Sequence, residues 1–281
     1  MLGNDLMAQF RHRHDVIGMD REEIDITRAS ECRRAVAETE PQLVINAAGY
    51  TNVDACETAK EECFAVNAEA VKNIAQACRD GNVPMIHYST DYVFDGNANH
   101  PYAEEDPCNP INTYGASKLA GEHHLKRLTD NFILIRTAWL YGAKGKNFVS
   151  AILDRARETG KLTVVDDQMG SPTCTRDLAA ATELLVDKNA RGIFHVTNRG
   201  CCTWYDFARK ILKEARMEQV ELSPMKTSEL QRAARRPAYS VLGMHKFVAA
   251  TGKTMQPWQL AFSDYYSFIA SRTCLSPPGT A

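Results

Sequence analysis

The sequence has no long apolar run, no surplus of one charge and no metal-site spacing among its cysteines. No uninterrupted apolar stretch approaches the roughly eighteen residues of a spanning helix, so no membrane span is expected. Formal net charge is -2 over 281 residues, which gives no electrostatic case for nucleic acid or an anionic membrane as partner. The cysteines are scattered, and the adjacent pair Cys201-Cys202 lacks zinc-ligand spacing, so no metal is expected. Their number is odd, nine, and no secretory leader precedes them; reduced thiols in a cytoplasmic protein are the expectation. Internal repeats and low-complexity tracts are missing too. What is left is an ordinary globular composition, 44% hydrophobic and 24% charged, long enough for one large or two moderate domains.

The chain is organised around His87 to Ala120. Val83 to Tyr88 is a short apolar run that ends in small hydroxyl residues, Ser89 and Thr90. A buried parallel strand does this where it reaches a ligand crevice. Farther on, a helical segment carries Tyr114 and Lys118 on one face, four positions apart. A cation beside a phenol favours the phenolate, and Thr90 can bond the same substrate oxygen. The pair by itself is weak, because a packed tyrosine beside a solvated lysine has the same spacing.

Strand and helix signals alternate along the rest of the chain. Leu2, Leu6 and Phe10 mark the apolar side of a first helix, and Asp15 to Met19 reads as a short strand. Thr27 is placed to cap a helix through Thr39, with Pro41 at its exit. A strand over 43–47 follows, then a helix with Phe64, Val71, Ile74 and Ala75 inward that ends near Gly81. Strands are expected at 132–135, 162–165 and 192–196, with loops at 166–173 and 234–240 and a connecting segment at 224–230. Helices are expected over 147–159, from Thr175 or Arg176, over 204–215 and over 257–270. His195 reads as a strand histidine with a satisfied partner, and His123-His124 as a solvated helical face.

Eight blocks carry a family resemblance: D-I-T at 25–27, N-A-A-G-Y-T at 46–51, S-T-D-Y-V-F-D-G at 89–96, Y-G-A-S-K-L-A-G-E at 114–122, R-T-A-W-L-Y-G at 136–142, G-K-N-F-V at 145–149, D-D-Q-M-G-S-P-T at 166–173 and A-R-R-P-A-Y-S at 234–240. In this order they resemble the dTDP-4-dehydrorhamnose reductase family of extended short-chain dehydrogenases/reductases. The resemblance implies an α/β fold: a Rossmann-type parallel sheet flanked by helices, with a smaller C-terminal substrate domain. It puts the NAD(P)-binding domain at 1–139 and the mainly substrate-binding domain at 140–271. About 161–196 would partly return to the first domain, and 272–281 would be a frayed tail.

The implied reaction is hydride transfer from NADPH or NADH to the ketone of dTDP-4-dehydro-L-rhamnose. Tyr114 would be the acid, Lys118 would hold the cofactor ribose and lower the Tyr114 pKa, and Thr90 would orient the carbonyl. Cofactor contacts fall on Gly3, Asp20, Arg21, Asp25, Ile26, Ala47, Ala48 and Thr51 besides Tyr114 and Lys118. Asp20 suits ribose hydroxyls and Arg21 a 2'-phosphate, so nucleotide preference stays open. The substrate side takes Thr90, Asp91, Trp139, Asn147, Arg235 and Arg236, with Asp91 and Tyr92 bracing the strand end and the arginines suited to a diphosphate. A homodimer is a possible assembly. Against the family's G-x-x-G-x-x-G turn, Gly3 matches the last glycine. The first strand and the other two glycines are expected upstream of Met1, and residues 1–281 alone are expected to bind dinucleotide weakly. A nucleotide-sugar epimerase or dehydratase, or a non-catalytic protein like the regulatory subunit of methionine adenosyltransferase, are the alternatives. The first is disfavoured by the block at 167–173, the second by the complete Thr90, Tyr114 and Lys118 set with Trp139.

Overall fold

The computed structural model describes residues 1–273. Helix α1 (Leu2–Phe10) buries Leu2, Leu6 and Phe10, the side its periodicity predicts. After α2 (Ala29–Thr39) comes β1 (Val44–Asn46). Two short helices, α3 (Ala55–Thr58) and α4 (Lys60–Phe64), lead through a π turn at Ala65–Glu69 into α5 (Ala70–Asp80). Strand β2 (Met85–Thr90) is buried along its whole length, as a parallel strand covered on both faces is. Helix α6 (Thr113–Leu128) then returns the chain to β3 (Phe132–Thr137).

Beyond β4 (Leu140–Tyr141) lie α7 (Phe148–Thr159), β5 (Lys161–Val165), β6 (Met169–Gly170) and β7 (Thr173–Cys174). Next come α8 (Thr175–Asp187), β8 (Gly192–His195), β9 (Cys202–Thr203), α9 (Trp204–Glu214) and β10 (Glu221–Met225). The described residues end in α10 (His245–Thr251) and α11 (Trp258–Thr273).

The main sheet runs β1-β2-β3-β8, every pair parallel, with Thr90 opposite Thr137 and Arg136 opposite His195. Strands alternating with helices produce this arrangement, because each crossover buries an apolar helix face on the sheet. One face packs against α1, α8 and α10, and the other against α2, α5 and α6. A separate core joins α7, α9, α11 and β5 around Phe207 and Phe262.

Several expectations change in the folded chain. No strand forms over Asp15–Met19; Ile17 is 62% exposed, and no described strand lies along the free edge of β1. With nothing to pair with, the segment has no ladder bonds to make and closes on a turn at Asp20, whose carbonyl accepts from Glu23 and Ile24. Thr27 does not cap α2: its hydroxyl donates to Asp25, and Arg28 is the cap residue. Phe64 points outward from α4, 37% exposed. The start of the expected connecting segment at 224–230 belongs instead to β10, parallel to β5; Pro224 is tolerated there because this two-stranded sheet is all edge. The loop at 166–173 contains β6 and runs into β7. The segment 161–196 divides between the units: β5 pairs with β10 outside the main sheet, whereas α8 and β8 join it. Helix α11 runs to Thr273, and the rest of the expected tail lies outside the described residues.

Candidate active site

Strand β2 delivers Thr90 and Asp91 to the crevice outside the carboxyl ends of the parallel strands, where open α/β sheets take ligands. The Thr90 hydroxyl donates to Asp91 Oδ1 at 3.0 Å and accepts the Tyr92 N–H at 3.2 Å. The Tyr114 phenol lies beside the same threonine, which acts on its proton affinity. Asp91 is almost wholly buried, and burial pushes its carboxyl up to about 6. Its Oδ2 and the hydroxyls of Ser89 and Thr137 are buried without a hydrogen-bond partner.

Tyr114 and Lys118 come from the first turns of α6. Asn112 caps that helix through the Gly115 N–H at 2.8 Å, and Glu57 accepts from the Thr113 N–H and hydroxyl, both at 2.8 Å. Gly115 lets the helix lie against the strand end: a Cβ there would come within 2.1 Å of the Tyr92 carbonyl oxygen. The Tyr114 ring meets Tyr92 edge-on, centroids 5.8 Å apart. Lys118 stands one turn farther along α6. Its ammonium is buried, donates to the Tyr88 carbonyl at 2.6 Å and lies 3.4 Å from His87 Nε2. Burial lowers its pKa from 10.5 to about 8. Burial also pushes the Tyr114 phenol well above its ordinary range, so it is protonated at neutral pH, the state a proton donor needs.

The candidates on the cofactor side separate into two groups. A Cβ on Gly3 would lie 4.0 Å from Ala47 Cβ, so the start of α1 faces the end of β1. Ala47, Ala48 and Thr51 are exposed there, and a Cβ on Gly49 would lie 3.9 Å from Lys118 Nζ. Asn67 fixes this loop, accepting from the Tyr50 N–H and donating to the Tyr50 carbonyl and to Ser117 Oγ on α6. Small side chains over a buried ammonium with a donor to spare fit a ribose and its attached ring. Asp20 and Arg21 stand exposed on the turn after the unpaired segment. Asp25 spends its carboxylate on Thr27 and Arg28, and the Ile26 carbonyl accepts from Cys32 and Asn73.

The candidates on the substrate side separate likewise. Trp139 sits at φ 48°, a strained conformation for a bulky residue. Its indole stacks on Trp204 at 3.5 Å and leaves no room for a Cβ on Gly170, which would lie 2.4 Å from Cε2. Asn147 caps α7: Oδ1 accepts from Val149 and Ser150, and Nδ2 donates to the Gly142 carbonyl. Arg235 is exposed, whereas Arg236 holds Asp54 through two 2.8 Å contacts. Sequence reasoning missed Asp54, Glu57, Asn67, Asn112 and Trp204. Only Asn112 carried a local signal, a capping residue ahead of a helix.

Behind the site, Arg136 on β3 is buried and grips Glu122 of α6 through Nε at 3.0 Å and Nη2 at 2.8 Å. His195, buried beside Arg136, has Nδ1 3.0 Å from the Tyr102 carbonyl, and burial pushes its pKa down to about 3. It is a neutral, partnered strand histidine. Among the described residues, no helix is long and apolar enough to cross a membrane and no cluster of His, Cys, Asp or Glu could hold a metal ion.

The chain is similar to known proteins along most of its length. A dTDP-4-keto-6-deoxy-D-glucose reductase of Streptomyces niveus is 37% identical over 96% of this chain and 94% of its own. A dTDP-4-dehydrorhamnose reductase of Streptomyces griseus is 36% identical over 99% and 94%. The solved structure of the dTDP-4-dehydrorhamnose reductase of Bacillus anthracis in complex with NADP superposes with a TM-score of 0.93, at 35% identity and 95% coverage of both chains. A Thermus thermophilus UDP-glucose 4-epimerase, at 19% identity and a TM-score of 0.81, shares the fold. Residues 1–270 match the family described as RmlD substrate binding domain, and the chain belongs to that family.

Proposed function

We propose that this protein reduces the 4-keto group of a dTDP-linked 6-deoxyhexose, dTDP-4-dehydro-β-L-rhamnose, to the alcohol with NADPH or NADH as reductant. The observation that carries the reading is the meeting of Thr90, Tyr114 and Lys118 at one strand end, in a chain whose relatives are named reductases of such sugars. A bound reduced nicotinamide supplies the hydride. Tyr114 holds the proton that the developing alkoxide takes, and its raised pKa keeps that proton in place until charge develops. Thr90 holds the carbonyl oxygen beside the phenol by turning its one proton from Asp91 to the substrate. Lys118 and the small residues 47–49 hold the ribose; Arg21, exposed, is free to meet a 2'-phosphate. Trp139, braced by Trp204, packs on the sugar side, and exposed Arg235 answers the diphosphate.

A cytoplasmic homodimer completes the proposal; free thiols, mostly buried, accord with a reducing compartment, and light scattering reads the assembly. The test of the chemistry is Tyr114→Phe, followed as loss of NADPH absorbance with the keto sugar nucleotide. We expect turnover to fall about 100- to 10,000-fold while NADPH affinity holds. Turnover within about twofold of the parent would remove Tyr114 as the acid.

A further inference from the structure

Residues 232–236, far from the catalytic strand in sequence, lie across its end as a strap. Arg236 meets Asp54 fork to fork, Nη1 to Oδ1 and Nη2 to Oδ2, both at 2.8 Å. Arg232 Nη1 reaches the same carboxylate at 3.2 Å, and the Ala234 N–H donates to it at 3.1 Å. Asp54 sits in the loop between β1 and α3, so a single side chain gathers three groups from the other end of the chain. These partners hold its pKa down at about 2, with the Arg236 bond first among them. Asn112, the cap of the helix that carries Tyr114, donates to the Arg235 carbonyl at 2.7 Å. Gly96, at φ 86°, admits Pro237, whose Cβ would lie 2.5 Å from any Cβ there.

The strap thus brings Arg232 and Arg236 near enough to act on the Tyr92 phenol, whose ring meets Tyr114 edge-on. Its charge is not balanced. One carboxylate serves two guanidiniums, and exposed Arg235 stands beside them. That surplus suits an anion such as the diphosphate of a sugar nucleotide.

We propose that Asp54 is a positioning residue that holds the arginine strap closed over the catalytic end of the sheet and thereby sets the affinity for the sugar nucleotide. The proposal rests on the reductase reading above, and its test separates the two. Trypsin can cut after Arg232 and Arg235, whereas the bond before Pro237 resists it. Asp54→Asn keeps the shape of the side chain and removes its charge. In the full chain we expect nicking at the strap to quicken about tenfold, since charge-assisted bonds to the arginines are lost. The KM for the sugar nucleotide should rise about tenfold, with kcat within about threefold and the NADPH dissociation constant unchanged. Asp54→Glu should restore most of both effects, which a general loss of folding would not allow. Nicking of Asp54→Asn at the parent rate, or a fall in kcat with KM unmoved, would overturn the strap. Lack of turnover in the parent protein would count against the reductase reading alone, and the nicking rates would still decide the strap.

Discussion

Replacing Lys118 with methionine should make the protein more stable and inactive. The ammonium is buried between β2 and α6, 5% exposed, with the Tyr88 carbonyl as its close acceptor. Burial takes its pKa from 10.5 to about 8, against a smaller opposing pull from Glu122. At about 1.4 kcal/mol per pH unit, holding the charge inside costs about 3 kcal/mol. Methionine fills a similar volume without the charge but leaves the Tyr88 carbonyl short of a donor, a loss of about 1–2 kcal/mol. The balance is a gain of about 1–2 kcal/mol at pH 7. The sign with pH follows from linkage. Between about 8 and 10.5 the unfolded lysine binds more protons than the folded one, so the parent gains stability as pH rises through that window. The advantage of the variant is full below about 8 and gone above 10.5. Denaturant melts of both proteins at stepped pH read this directly, and NADPH titration with a turnover assay reads the functional loss. A variant less stable than the parent at pH 7, or a difference flat across the window, would refute the reasoning. Such a stabilising loss of function is what a cation kept for chemistry should give.

Two further variants probe the supports of the site. Glu122→Leu strands the Arg136 guanidinium, itself 2% exposed, and should destabilise by about 3–5 kcal/mol, read as a lower denaturation midpoint; a loss below about 1 kcal/mol would mean Arg136 finds another partner. Gly170→Ala pushes a methyl into the Trp139 indole and should raise the KM for the sugar nucleotide while sparing NADPH affinity; equal effects on both ligands would place Trp139 away from the sugar.

Much of this protein is legible in one dimension. The apolar run into Ser89-Thr90 could only be a covered strand end, and β2 is buried throughout. Four-residue spacing on a helix puts Tyr114 and Lys118 on one face whatever the rest of the chain does. The inward side of α1 likewise followed from Leu2, Leu6 and Phe10. These are local facts, set by backbone period and by burial of contiguous residues.

The sequence by itself thus determined the α/β class, the strand end that bears Thr90, and the family. Tertiary structure decided which polar side chains are still free to meet a ligand. Arg236 and Asn147, both expected on the substrate side, are committed by the fold to Asp54 and to the start of α7. Lys118 is put on its face by helix spacing, and only the fold shows its ammonium donating to the Tyr88 carbonyl. Strand pairing was hidden in the same way: Asp15–Met19 has strand composition but no neighbour, whereas Glu221–Met225 becomes a strand because β5 lies alongside. The physical reason is common to all of these. A charge, an amide or a backbone N–H has no preference that can be read until its partner is in place, and here the partner comes from a few to nearly two hundred residues away.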